Sequence, residues 1–229
     1  MSITPQMIKE LRDETGAGFM DCKQALEQAG GDMEEARKIL RQKGAVIATK
    51  RASKEVNQGV IAGKVSADGR TGVLIDLRCE TDFVARNEEF LALAEELLQA
   101  VEAFGQEGQL ETLLQQPAPS DSSLTLEKRI ELVMGKTGER IALQNYAIAR
   151  VPEGANGVVD VYIHHNKMVG VMVVLTGSAD TETLRQLAHE VAIQIAWSTP
   201  SYISKDEIPQ EELQKELEIE KQRALNEGK

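Results

Sequence analysis

Three histidines, two cysteines and one aromatic-bearing loop are the places where this chain of 229 residues could do chemistry. His164 and His165 stand side by side in YIHHNK, a turn sequence between two β-rich runs. Adjacent strand residues point to opposite faces, so they chelate a metal poorly unless the turn bends the two rings together. His189 is remote from both in sequence. Cys22 and Cys79 are far apart, and two thiols supply neither a disulfide framework nor a metal set. They read as small buried side chains in a reducing compartment. The chain also lacks a Gly-rich phosphate loop, H-E-x-x-H, C-x-x-C and G-x-S-x-G. The expectation is a protein with no cofactor and no metal, and not an enzyme.

The segment RCETDFVARNEEF is different. Aromatic residues make up only 3% of the chain, and Phe83 is one of four Phe. It lies four residues before the expected helix start at Asn87, beside Glu80 and Asp82. A ring in that position is either folded under its own helix or offered to a partner, and interfaces favour large aromatic anchors. Pattern alone leaves both readings open.

Composition removes several function classes. Hydrophobic residues make up 41%, enough for a packed core and against global disorder. Net charge is −11, and it is uneven: residues 1–54 are slightly basic and the rest is strongly acidic. An acidic body argues against direct nucleic-acid binding, because phosphate neutralisation needs clustered cations. The short run Lys50, Arg51, Ala52, Ser53, Lys54 is too small to reverse that and reads as a solvated linker face. No apolar stretch approaches the roughly 18 residues of a membrane span. The start, MSITPQMIKELRDETG, carries charges where a signal peptide would be apolar.

The elements that must hold these residues are legible as periodicities. Residues 1–54 predict three short helices. Thr4-Pro5 opens the first, which ends at Thr15-Gly16; Asp21 caps the second, stopped by Gly30-Gly31; Asp32 with Glu35 opens the third, closed by Gly44. GVIAGKV and TGVLIDLRC predict strands joined by Asp68-Gly69. The TDFVAR loop follows, then a helix capped by Asn87 and carrying Phe90, Leu93, Ala94, Leu97 and Val101. Residues 105–126 predict a surface connection with one short helix. LEKRIELVMGKTG predicts a helix and IALQNYAIARV a strand. Residues 157–197 then repeat the pattern: Gly59-Val60 and Gly72-Val73 are matched in spacing by Gly157-Val158 and Gly170-Val171. Leu77 matches Leu175, and Asp82 matches Asp180, a cap for a helix bearing Leu184, Leu187, Ala188, Val191 and Ile195. Two copies of one hairpin-plus-helix unit follow from this. The tail beyond Pro209 is a polar helix with a thin stripe of Leu213, Leu217 and Ala224, too little apolar surface to stand alone.

TGAGFMDCKQAL near the N-terminus, ETDFVARNEEF after the hairpin, KTGERI, YIHHNKMVGV and the closing ALNEGK together resemble translation elongation factor Ts, in order and over the whole chain. The resemblance implies an α+β fold: a helical bundle of ubiquitin-associated type over residues 1–54, a core subdomain over 55–146 with hairpin, TDFV loop and helices, a second, similar α+β subdomain over 147–200, each with a small antiparallel sheet, and a C-terminal helix over 201–229 as the first arm of a coiled coil. It implies guanine-nucleotide exchange on the GTPase elongation factor Tu, in its GDP-bound and nucleotide-free states. Thr81, Asp82, Phe83 and Val84 would dislodge Mg²⁺, with Phe83 wedged between two helices of the GTPase domain. His164 would contact the partner near its phosphate-binding loop, and Met20 and Lys23 would dock on the GTPase domain. A homodimer or complex through the C-terminal helix is a further expectation, as is a cytoplasmic location, with organelle stroma or matrix as the alternative. Two departures stand out. Thr137 precedes the Gly-Glu of KTGERI where some members carry an aliphatic residue, and the chain stops before the family's usual returning segment. Three rival readings are an adaptor for ubiquitin-like modifiers, an enzyme using Cys79 or His164, and an inactive structural relative.

Overall fold

The computed structural model describes residues 3–226, so the last three residues of the ALNEGK segment and the first two of the chain lie outside the described residues. The chain opens with three helices, α1 (Pro5–Thr15), α2 (Phe19–Gln28) and α3 (Met33–Arg51). Thr4 caps α1 by accepting from the Met7 amide, and Gly16 ends it in a left-handed conformation (φ 64°). Ile8, Leu11, Cys22, Ala25, Leu26, Ala36 and Leu40 form their shared core. Two expectations are corrected. α2 starts at Phe19 after Gly18, so Asp21 sits inside its first turn, where it pairs with Lys43 rather than capping the helix. α3 does not close at Gly44 but runs seven residues beyond it. Gly44 is instead the point where α3 crosses α7 (Leu126–Thr137). A Cβ on Gly44 would lie 2.7 Å from the Glu131 carbonyl oxygen, and Gly135 of α7 lies directly opposite. The missing side chains let two backbones touch, which offsets the roughly 0.5–1 kcal/mol that glycine costs in a helix.

The first hairpin is β1 (Gln58–Val65) and β2 (Thr71–Cys79), turned at Asp68-Gly69, with Gly69 left-handed (φ 72°). β5 (Ile141–Arg150) joins β2 along its length, giving an antiparallel sheet of order β1-β2-β5 with an irregularity between Asp76 and Leu77. The division expected at residue 146 falls inside this strand. Val73, Ile75, Leu77 and Cys79 alternate inward from β2 onto Phe90, Leu93, Leu97 and Val101 of α5 (Glu88–Phe104), with Ile130 and Val133 of α7 closing the core. The connection over 105–126 holds the helix α6 (Leu110–Leu114) and, unforeseen, a ribbon of β3 (Pro117–Ala118) and β4 (Asp121–Thr125).

The second unit is β6 (Gly157–Ile163) and β7 (Gly170–Thr176) followed by α8 (Thr181–Ser198). The recurring glycines have one steric reason in both copies. A Cβ on Gly59 would strike the Leu77 carbonyl oxygen across the hairpin, and one on Gly157 would strike that of Leu175. Gly72 lies beneath Val159 and Met172, and Gly170 beneath Ile61, so each of these glycines lets the two hairpins pack against each other. The second core is small: Val158, Leu184 and Ala188. Leu187, expected on the buried stripe, is exposed, and so is Trp197. The final helix α9 (Gln210–Asn226) buries no residue and exposes Leu213 and Leu217. The mixed helix-and-sheet class with small antiparallel sheets and a C-terminal helix is the one expected from sequence.

Candidate functional site

The segment after β2 was expected to be a loop; it is a loop closed by one helical turn, α4 (Asp82–Ala85). Thr81 caps the turn, its hydroxyl oxygen accepting from the Val84 amide at 3.4 Å. The same Thr81 is clamped by Glu139, which lies just before β5, the strand paired with β2 at this end. Its amide donates to Glu139 Oε2 at 3.0 Å and its hydroxyl to Glu139 Oε1 at 2.6 Å. One residue earlier, Glu80 accepts twice from Arg51 at 2.7 and 2.8 Å and once from the Arg140 amide at 2.7 Å. Burial pushes the Glu80 carboxyl up, but the Arg140 amide and the Arg51 guanidinium together outweigh it and hold it below the usual carboxylate range. Charge-assisted bonds of this kind fix the base of the turn to α3 and to the start of β5.

The turn sorts its side chains sharply. Val84 and Ala85 face the core, while Phe83 is 84% exposed at the tip. Of the two readings the sequence left open, the ring is not folded under its helix. Asp82 is half-exposed beside it and pairs with Arg86 at 3.0 Å. The aligned second unit has no such turn, because Asp180 caps α8 directly by accepting from the Thr183 amide at 3.0 Å. The first unit inserts α4 before Asn87 caps α5. That inserted turn is what carries the ring outward.

Cys79 closes the inner side, its thiol donating to the Thr81 carbonyl at 3.2 Å. Burial, then the charge of Glu139, pushes this thiol up to about 12, so it is not a thiolate nucleophile near neutrality. Among the described residues no group of three or more His, Cys, Asp or Glu side chains is arranged to hold a metal.

The other expected residues lie on two further segments. Met20 is exposed at the start of α2, with Phe19 half-exposed next to it, and Lys23 is a surface residue near Glu27. This turn is bound to the first unit through Lys136, which lies against Gly16 and donates to Glu89 Oε2 at 2.9 Å in the first turn of α5. His164 sits in the β6–β7 turn, whose Lys167 carbonyl accepts from the Ile61 amide at 2.7 Å. Arg78, three residues before Thr81, reaches Met168 of the same turn. The hairpin thus packs against the end of β2 from which the Phe83 turn projects. The β6–β7 turn bends His164 and His165 together, with ring centroids 4.2 Å apart.

Residues 80–229 match the family model described as elongation factor TS. The chain is 38% identical over 227 residues to the elongation factor Ts of Clostridium kluyveri, covering 99% of this chain and 73% of that protein. It is 39% identical over 227 residues to that of Chloroherpeton thalassium, covering 99% of this chain and 77% of that protein. For Aquifex aeolicus the identity is 39% over 233 residues, with 100% of this chain and 79% of the other covered.

The chain belongs to the elongation factor Ts family.

Within this member of the elongation factor Ts family, sequence reading missed the groups that hold the tip in place. Glu139 was visible only as part of KTGERI, and its clamp on Thr81 joins residues 58 positions apart. Arg51 was read as part of a solvated linker face, and Lys136 was visible only within KTGERI. Phe19 carried a usable signal, an aromatic at a helix start beside Met20. Thr137 donates its hydroxyl to the Val133 carbonyl at 3.0 Å. No helix among the described residues is long and apolar enough to cross a membrane.

Proposed function

We propose that this chain is a guanine-nucleotide exchange factor for elongation factor Tu: it binds the GDP-bound GTPase, displaces Mg²⁺, promotes GDP release and leaves the nucleotide-free partner open to GTP. The observation that carries the proposal is the exposure of Phe83 on a capped, doubly clamped turn. A wedge must be both apolar and held, because a ring on a slack loop would lose its binding energy to ordering. Family membership supports the partner, and the exposed Met20 and part-exposed His164 offer further side chains for contact beyond the tip.

GDP bound at about 1 nM corresponds to about 12 kcal/mol, so its spontaneous release is slow. It is held by its phosphates, by Mg²⁺ and by loops the metal orders. An exchange factor lowers that affinity only by binding the nucleotide-free state more tightly. Phe83 would hold apart two helices that the GDP state packs together. Asp82 would disturb the water and side-chain network around Mg²⁺ without becoming a lasting ligand. Thr81 and Val84 would set the angle of the tip. No bond is made or broken by this chain, which needs neither a nucleophile nor a cofactor. The exchange would take place in the cytoplasm, with organelle stroma or matrix as the alternative.

Calorimetric titration of the chain into elongation factor Tu, with and without saturating GDP, tests this reading. Binding at least tenfold tighter without nucleotide is expected. Equal affinity in both states would remove the basis for exchange, because coupling between the two ligands is reciprocal.

A further inference from the structure

Strand β6 sends Asp160 and Tyr162 to the face shared with Val158, which packs on Leu184 and Ala188 of α8, and His164 follows at the same spacing where the turn begins. Val159 and Val161 point the other way, over Gly72 of the first sheet. The α8 side of this strand therefore holds a polar row. The Tyr162 hydroxyl lies 2.9 Å from His164 Nδ1. The Tyr162 ring meets His189 of α8 edge-on, with centroids 5.9 Å apart at 74°. His189 Nδ1 in turn lies 3.1 Å from Asp160 Oδ2. The backbone of His164 is held as well: its amide donates to the Val169 carbonyl at 2.9 Å and its carbonyl accepts from the Lys167 amide at 2.8 Å.

We propose that Tyr162 is a positioning residue for partner recognition: its hydroxyl donates to Nδ1 of His164, fixes the neutral tautomer that carries its proton on Nε2, and presents that N–H outward as a donor to an oxygen acceptor on the partner. The inference rests on His164 being a partner contact, as proposed above. A neutral imidazole has one donor and one acceptor nitrogen, and the bond made at one nitrogen decides the role of the other. Without the hydroxyl no bond at Nδ1 selects between the two tautomers, and the one protonated on Nδ1 offers a lone pair where the partner needs a proton. The His189–Asp160 pair lies against the Tyr162 ring on its α8 side.

The chain has three histidines, so long-range proton–nitrogen spectra of its imidazoles contain three patterns to assign. In the intact chain at pH 8, His164 is expected with an acceptor Nδ1 and a protonated Nε2. In Tyr162→Phe it becomes a mixture of tautomers while the His189 pattern is unchanged, which shows that the hairpin still packs on α8. In stopped-flow release of a fluorescent GDP analogue from elongation factor Tu, Tyr162→Phe slows chain-stimulated release about threefold to tenfold, the worth of one hydrogen bond. Added to His164→Ala, it slows release no further. A proton on Nδ1 of His164 in the intact chain, or an unchanged tautomer in Tyr162→Phe, overturns the positioning. Full-speed release with His164→Ala overturns the contact role beneath it, and does so whatever the tautomer.

Discussion

Replacing Phe83 by alanine separates a structural ring from a contact ring. Phe83 is 84% exposed, so its removal from the isolated chain is expected to change stability by no more than about 0.5 kcal/mol. Full burial of a phenylalanine side chain is worth about 1.5–3 kcal/mol. A partner that covers the exposed share recovers most of it, or about 1.3–2.5 kcal/mol, which converts to roughly tenfold to seventyfold in the rate at limiting chain. The loss should lie in chain-stimulated GDP release, because the ring would be gripped only as the partner's helices part. Stopped-flow release at several chain concentrations, beside a thermal melt of each variant, gives both numbers. Phe83→Leu should recover part of the rate. Unaltered release with Phe83→Ala would refute the wedge, and a melting temperature lower by many degrees would show that the ring packs within its own chain.

Two further outcomes follow from packing and burial. Gly44→Ala replaces glycine by the best helix former and on propensity alone should stabilise α3 by about 1 kcal/mol; with a Cβ only 2.7 Å from the Glu131 carbonyl, it should instead destabilise by about 1–3 kcal/mol, and a raised melting temperature would refute the close crossing. Cys79 should resist alkylation at pH 8 in the folded chain and react once the chain is unfolded in urea; because its thiol titrates near 9.0 when unfolded and only at about 12 when folded, its contribution to stability is complete below pH 9 and declines above it, so the urea midpoint should fall as pH rises past 9 and fast labelling of the native chain would contradict the burial.

Much of the architecture was readable because local signals and packing agree. Thr4, Asp32, Asn87 and Asp180 announce helix starts in the sequence, and each accepts from a backbone amide in the structure. The repeated Gly-Val pairs predicted two similar hairpins, and their steric reason emerged only when the hairpins were seen in contact. Gly44 misled because a glycine inside a helix and one just past its end look alike in sequence. What separates them is the backbone of α7, more than eighty residues on. Asp21 misled in a similar way: a second acid-capped start was plausible, but Phe19 and Met20 are already helical. At the site, the identity of the tip was legible and its support was not. Phe83 stands out by rarity, whereas Glu139, Arg51 and Tyr162 acquire their roles through tertiary contacts that no spacing rule encodes.

The most direct measurement is the release of a fluorescent GDP analogue from elongation factor Tu, chased with unlabelled GDP, with and without the intact chain at substoichiometric concentration. Release accelerated at least a hundredfold, with each molecule of chain serving many molecules of the GTPase, is the expected result. Release at the unassisted rate would contradict an exchange role for the Phe83 turn, however well that turn is held.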